Sequence, residues 1–241
     1  VDRSGEIVWQ YGTAGLSGSK ENQLNTPVQA TMLPTGHVLI TDQANERIIE
    51  VTPRHEVVWQ YGTTGTIGSG PNQLSNPNSA QLLVNGNILI ADENNNRVIE
   101  VDRGHRIVWQ YGSPTDTATL NGAAFASRLP NGHTLITDSL NNRVVEVDTH
   151  KRVVWMYNTA SRPGSSSSPN PTRAVRLRDG DTLISDQFND QVISVDRNGR
   201  VEFTQGSIDA DGSGFDQLNA PYDAKVIGDY TGLTLPFRSD P

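Results

Sequence analysis

The chain has 241 residues, no cysteine, 22 glycines, 13 prolines and a formal net charge of −8. That composition excludes a disulfide scaffold, a thiolate nucleophile and a cysteine-ligated zinc site. The acidity argues against nucleic acid or an anionic membrane as partner, because both require clustered Lys and Arg. No apolar run reaches six residues, so no membrane-spanning helix is expected, and no stretch has the layout of a secretory signal.

The first element in chain order is Ile7-Val8-Trp9-Gln10-Tyr11-Gly12, and it recurs. It returns from Val57 to Gly62, from Ile107 to Gly112, and more loosely from Val153 to Asn158 and at Val201-Glu202-Phe203. Every tryptophan (Trp9, Trp59, Trp109, Trp155) sits in this one slot, which marks it as a packing position between neighbouring units. Next come the short runs opened by Pro27-Val28, Pro77-Asn78, Pro171-Thr172 and Pro221-Tyr222, with Ala123 in place of proline in the third unit. Thr35-Gly36, Asn85-Gly86, Asn131-Gly132 and Asp179-Gly180 follow as hairpin turns that need positive φ. Then come Leu39-Ile40-Thr41-Asp42 and its copies ending at Asp92, Asp138 and Asp186. The last run is Asn45 to Val51, repeated from Asn95, Asn141 and Asn189.

Each period thus holds four short runs rich in Val, Ile, Leu and Trp, bounded by Gly, Asn, Asp and Pro, which reads as four antiparallel strands. No stretch carries a sustained helical stripe. Four strands per period of about 48 residues is the pattern of a β-propeller blade. The expected fold is one all-β propeller domain over residues 1–241, with five blades preferred and six as the alternative. Its ring would close where the N-terminal strand, Glu6 to Tyr11, joins the C-terminal blade built around Leu233 to Phe237. The repeated frame Asn-Gln-Leu-x-x-Pro, Leu-Ile-x-Asp and Asn-x-Arg-(Ile/Val)-x-x-Val resembles the NHL-repeat propellers over nearly the whole chain. That resemblance implies a scaffold whose members include lyases, RNA-binding modules, protein-interaction modules and sensor ectodomains, and so assigns no single function.

Candidate chemistry divides into repeated and unique residues. Asp42, Asp92, Asp138 and Asp186 are either a ring of acids at one mouth or structural acids paired with Arg47, Arg97 and Arg143. Their equal repetition favours the second reading. His37 and His133 share one turn, while His55, His105 and His150 lie at outer turns, and solvated turn histidines are preferred over a metal site. No zincin, hydrolase-elbow or P-loop motif is present. Asp209, Asp211, Ser213 and Asp216 mimic the first half of a calcium loop, but Ala220 stands where the bidentate acid belongs. No cofactor is expected, and an ordinary inter-blade loop is preferred there, with calcium as the alternative.

Unique residues cluster where blades begin. One slot reads Gln29, Ser79, Phe125, Arg173 and Asp223, beside Tyr222, and the following slot is alanine in all five units. Diversity beside enforced smallness points to a ligand site at the channel mouth, with Arg173 and Asp223 paired there. The expected function is a non-catalytic binding scaffold using the face that carries the long inter-blade loops. The alternative is a metal-dependent lyase or hydrolase acting at the channel. The expected partner is a small polar ligand, a glycan or a protein segment, held by a monomer.

Overall fold

A computed structural model describes residues 2, 4–208 and 210–228. It contains four sheets of four antiparallel strands, each in simple up-and-down order. Blade 1 comprises β1 (Pro27–Met32), β2 (Val38–Asp42), β3 (Arg47–Val51) and β4 (Val57–Tyr61). Blade 2 comprises β5 (Pro77–Leu82), β6 (Ile88–Asp92), β7 (Arg97–Val101) and β8 (Ile107–Gly112). Blade 3 comprises β9 (Ala123–Arg128), β10 (Thr134–Asp138), β11 (Arg143–Val147) and β12 (Val153–Asn158). Blade 4 comprises β13 (Arg173–Arg176), β14 (Thr182–Asp186), β15 (Gln191–Val195) and β16 (Val201–Gly206).

The second and third strands are buried almost throughout, which explains their unbroken Val, Ile and Leu runs. A one-turn 3-10 segment joins them and closes on a left-handed residue: Glu46, Asn96, Asn142 or Asp190. These corners lie on the same face as the long inter-blade loops, as the bond from Asn45 Nδ2 to Gly18 O shows (2.8 Å). The corner residue then reaches the next blade. Glu46 Oε2 accepts from Asn76 N (2.6 Å), Asn96 Oδ1 from Gly122 N (2.8 Å) and Asp190 Oδ1 from Ala220 N (2.8 Å).

Between blades lie the apolar clusters. Leu39, Ile48 and Tyr61 of blade 1 meet Ala80, Ile88 and Ile90 of blade 2, with Trp59 against them. Trp59 Nε1 donates to Arg103 O (3.3 Å) and Trp155 Nε1 to Arg197 O (3.1 Å), in each case on the next blade. Trp59 and Trp155 therefore bridge to the next blade, each with its ring against an apolar cluster and its single N–H given an acceptor.

The segment around Trp9 lies as a fourth strand would, yet it pairs with no strand among the described residues. The expected closing partner, Leu233 to Phe237, lies outside the described residues.

Candidate functional site

The repeated acids are structural. Each aspartate that ends a second strand is fully buried. In blade 2, Asp92 Oδ1 accepts from Ser75 N (2.8 Å), and Oδ2 accepts from Asn95 Nδ2 (2.8 Å) and Arg97 Nε (2.7 Å). Arg97 also donates to the loop carbonyls of Ser69 (3.1 Å) and Gln73 (3.2 Å), so one ion pair pins the inter-blade loop to the corner. Burial pushes the Asp92 carboxyl above the usual range, against the pull of Arg97 and its hydrogen bonds. Asp42 with Arg47 and Asp138 with Arg143 repeat the arrangement.

Blade 4 departs from it. Gln191 replaces the arginine, and Arg162, from the loop after β12, lends its guanidinium to Asp186 Oδ2 (2.7 Å) and Gln191 Oε1 (2.6 Å). Pro169 stands where Asn25, Ser75 and Asn121 donate a backbone N–H. Asp186 Oδ1 therefore has no hydrogen-bond partner among the described residues. Burial pushes this carboxyl up to about 6.

The histidines serve the opposite face. His37 Nδ1 lies 2.7 Å from Glu50 Oε1, and His133 Nδ1 lies 2.7 Å from Glu146 Oε1, each within its own blade. Glu50 binds Arg103 and Glu146 binds Arg176 and Arg197 of the following blade, and these arginines stack on Trp59 and Trp155. Burial alone would raise both glutamates, but their His and Arg partners hold them below the usual carboxylate range. Among the described residues no three His, Asp or Glu side chains converge as a metal site requires.

The acidic loop is built as the repeat's ordinary inter-blade loop. Asp216 Oδ1 accepts from Gly206 N (3.1 Å), as Asn22 does from Gly12 N (2.8 Å) and Asn72 from Gly62 N (2.9 Å). Gln205 Nε2 takes the same oxygen (2.6 Å), and Asp209 lies outside the described residues.

At the axis the unique residues come together as a plug. Arg173 is buried, its guanidinium between the rings of Phe125 (5.1 Å) and Tyr222 (4.6 Å). Its Nη1 donates to Ala124 O and Thr172 O, both at 3.1 Å. Its Nη2 crosses to blade 2, to Asn78 O (3.1 Å) and Asn78 Oδ1 (3.0 Å). Tyr222 Oη donates to the same Asn78 oxygen (2.7 Å), and Asn78 Nδ2 donates to Glu93 Oε2 (2.8 Å). Burial raises the Glu93 carboxyl, while Asn78 and the Arg173 charge pull it down. Gln29 and Ser79 are stitches between inner strands, accepting from Ala80 N (2.9 Å) and Ala126 N (3.2 Å).

The expected Arg173–Asp223 couple is not formed. Asp223 is exposed and pairs with Lys225. Pro221–Lys225 has no ladder partner among the described residues, so no register holds Asp223 in the slot that β13 gives Arg173.

What remains open lies on the loop face. The middle residue of the corner reads Ala44, Asn94, Leu140 and Phe188 in blades 1 to 4. Leu140 and Phe188, on consecutive blades, are 55% and 49% exposed. Phe215, in the next inter-blade loop, is fully exposed.

Comparison with known proteins places this geometry. The profile of the family described as outer membrane protein assembly factor BamB matches residues 1–233. The chain belongs to that family. No curated protein matches it. Among solved structures, virginiamycin B lyase from Staphylococcus aureus is similar at a TM-score of 0.53 and 16% identity, covering 73% of this chain and 53% of the lyase. A catalytically inactive variant of that lyase with quinupristin gives a TM-score of 0.55 at 15% identity, over 78% of this chain and 57% of the lyase. A protein of unknown function from Bacteroides caccae gives 0.55 at 17% identity, over 74% and 66%. The chain spans about half the length of the lyases, and at these identities the likeness is one of fold.

The β-propeller read from the repeat therefore stands, within the BamB family. Sequence reading gave no role to Asn78, Glu93 or Arg162, which complete the plug and the blade 4 corner. The signal for Arg162 was present: the repeat loses its arginine at Gln191, and a buried acid requires another.

Proposed function

We propose that the chain is a non-catalytic binding propeller that holds a protein segment on the face carrying its inter-blade loops. The observation that carries this reading is the break in repetition at the corners. All four corners close on a left-handed residue, but only blades 3 and 4 place large apolar side chains, Leu140 and Phe188, in solvent. Exposed apolar residues side by side on a rigid scaffold are the anchors of protein interfaces. The family description, an assembly factor for proteins, supports a polypeptide partner. Arg173 adds to the argument, because both its terminal nitrogens are already engaged and leave no fork of donors for a glycan or small polar ligand.

The alternative, a metal-dependent lyase acting at the channel, draws on fold likeness to virginiamycin B lyase. It needs ligands gathered at the axis, whereas His37 and His133 are tied to Glu50 and Glu146 on the opposite face. The double variant Leu140→Ser with Phe188→Ser tests the binding reading. It should keep the parent's melting temperature and lose partner retention in a pull-down from native extract, with Arg173→Met retaining the partner. Retention by the corner variant and loss by the axis variant would move the site to the channel.

A further inference from the structure

Two acids on the loop face stand where the repeat elsewhere uses asparagine. The closing residue of the corner is Asn96 in blade 2 and Asn142 in blade 3. Each accepts a backbone N–H of the next inter-blade loop, Asn96 Oδ1 from Gly122 (2.8 Å) and Asn142 Oδ1 from Asn170 (3.3 Å). Blade 4 closes on Asp190, whose Oδ1 does the same for Ala220 N (2.8 Å). Within the loops, Asn22 and Asn72 accept from Gly12 N and Gly62 N, and Asp216 takes their place at Gly206 N (3.1 Å). An amide oxygen fills both posts elsewhere, so the fold needs the acceptor and not the charge. Blade 1 also closes on an acid, Glu46, but that residue is buried, whereas Asp190 is partly open to water and Asp216 is exposed.

The two acids lie together. Gly206 N donates to Asp216, and a Cβ on the same glycine would come within 2.2 Å of the Asp190 carbonyl oxygen. Neither acid forms an ion pair among the described residues. The strand position that carries arginine in blades 1 to 3 is Gln191 here, and the incoming Arg162 is already engaged by Asp186 and Gln191. Beside each acid in the chain stands an exposed phenyl ring, Phe188 and Phe215, where blade 2 and the loop before it carry Asn94 and Pro71. Ring and carboxylate together suit an arginine, because a planar guanidinium stacks on the ring while its N–H fork meets the acid. The chain uses this combination between its own blades. Arg103 lies over Trp59 (5.3 Å) and pairs with Glu50, and Arg128 lies over Trp109 (4.9 Å) and pairs with Glu100 (2.9 Å).

Building on the loop-face reading above, we propose that the polypeptide segment held there is arginine-bearing. Its guanidinium groups lie on Phe188 and Phe215 against Asp190 and Asp216, and an apolar side chain of the same segment rests on Leu140. The charge that the fold does not need at Asp190 and Asp216 is the complement of that partner.

Fluorescence anisotropy with the labelled peptide Ser-Leu-Ser-Arg-Ser-Leu-Ser-Arg tests this, beside one version with Gln for Arg and one with Ser for Leu. The full chain is used as the parent, as Asp190→Asn with Asp216→Asn, and as Leu140→Ser with Phe188→Ser. The asparagine pair keeps both backbone acceptors, so its melting temperature should match the parent's. The parent should bind the Leu–Arg peptide about tenfold more tightly than either altered peptide. The asparagine pair should lose about tenfold for the Leu–Arg peptide and nothing for the Gln version. The serine pair should lose the Leu–Arg peptide altogether. Equal affinity of the parent and the asparagine pair, equal affinity of the parent for either altered peptide, or no binding by the parent overturns the arginine proposal. In the first two of these cases, a serine pair that fails to bind leaves the loop-face reading standing without it. Binding that survives in the serine pair overturns both.

Discussion

Blades 2 and 4 build the same corner from different parts. In blade 2, Asp92 fills both oxygens from its own blade and loop, and Arg97 is nearly as buried as the acid it serves. In blade 4, Asp186 borrows Arg162 from a loop, the guanidinium is partly open to water, and one carboxylate oxygen is left bare. The two corners nonetheless close alike, on left-handed residues at φ 49° and 53°. The difference shows that the fold demands a cation and an acceptor at this point and accepts them from wherever the chain supplies them. It also separates scaffold from variable parts, since apolar exposure at the corners begins at blade 3.

The comparison breaks most visibly at Asp92. Asp92→Ala leaves Arg97 buried without its counter-charge and should cost about 3–5 kcal/mol in a denaturant melt. Asp186→Ala should cost about 1–2 kcal/mol, because Arg162 can turn toward water and its strongest loss is one charged hydrogen bond. Equal costs would mean that the borrowed Arg162 is held as firmly in its corner as Arg97 is in blade 2.

A pH series sharpens the contrast. The folded Asp186 carboxyl is raised from 3.8 to about 6, so the native state binds its proton more tightly than the unfolded chain. That stability is fully present below about pH 4 and is lost as pH rises through 6. Asp186→Asn should therefore gain on the parent by about 1–3 kcal/mol between pH 4 and pH 7, when unfolding is followed at both. A difference that stays flat across this range would show that Asp186 is ionised throughout.

The smallest effect is expected at Pro169. Pro169→Ser restores the N–H that Ser75 supplies in blade 2, adding about 1 kcal/mol of hydrogen bonding while giving up a similar amount of proline rigidity. Melting should hardly move, but the Asp186 carboxyl, followed by carbon NMR, should titrate lower than in the parent. An unmoved titration would mean that the restored N–H does not offset the burial that raises it.

The blades were legible because strand, turn and corner recur at fixed spacing. Trp59 and its copies could be placed between units from confinement to one slot alone. The acids were legible for the same reason, as four identical residues in four identical corners have a shared structural job. The axis was not. Arg173 reaches from blade 4 to Asn78 of blade 2, a contact across 95 positions that no local pattern encodes. Asp223 was misplaced because slot alignment assumes a ladder that Pro221–Lys225 does not have. Glu93 carried no repeat signal, since its counterparts Gln43, Ser139 and Gln187 are uncharged.

The proposed polypeptide partner sits on the loop face above blades 3 and 4. A photo-cross-linking phenylalanine analogue at Phe188 tests it most directly, with the same analogue at His37 on the opposite face for comparison. A polypeptide adduct from position 188 that disappears with Leu140→Ser, and none from position 37, is the expected result. An adduct from position 37 with none from position 188 would contradict it.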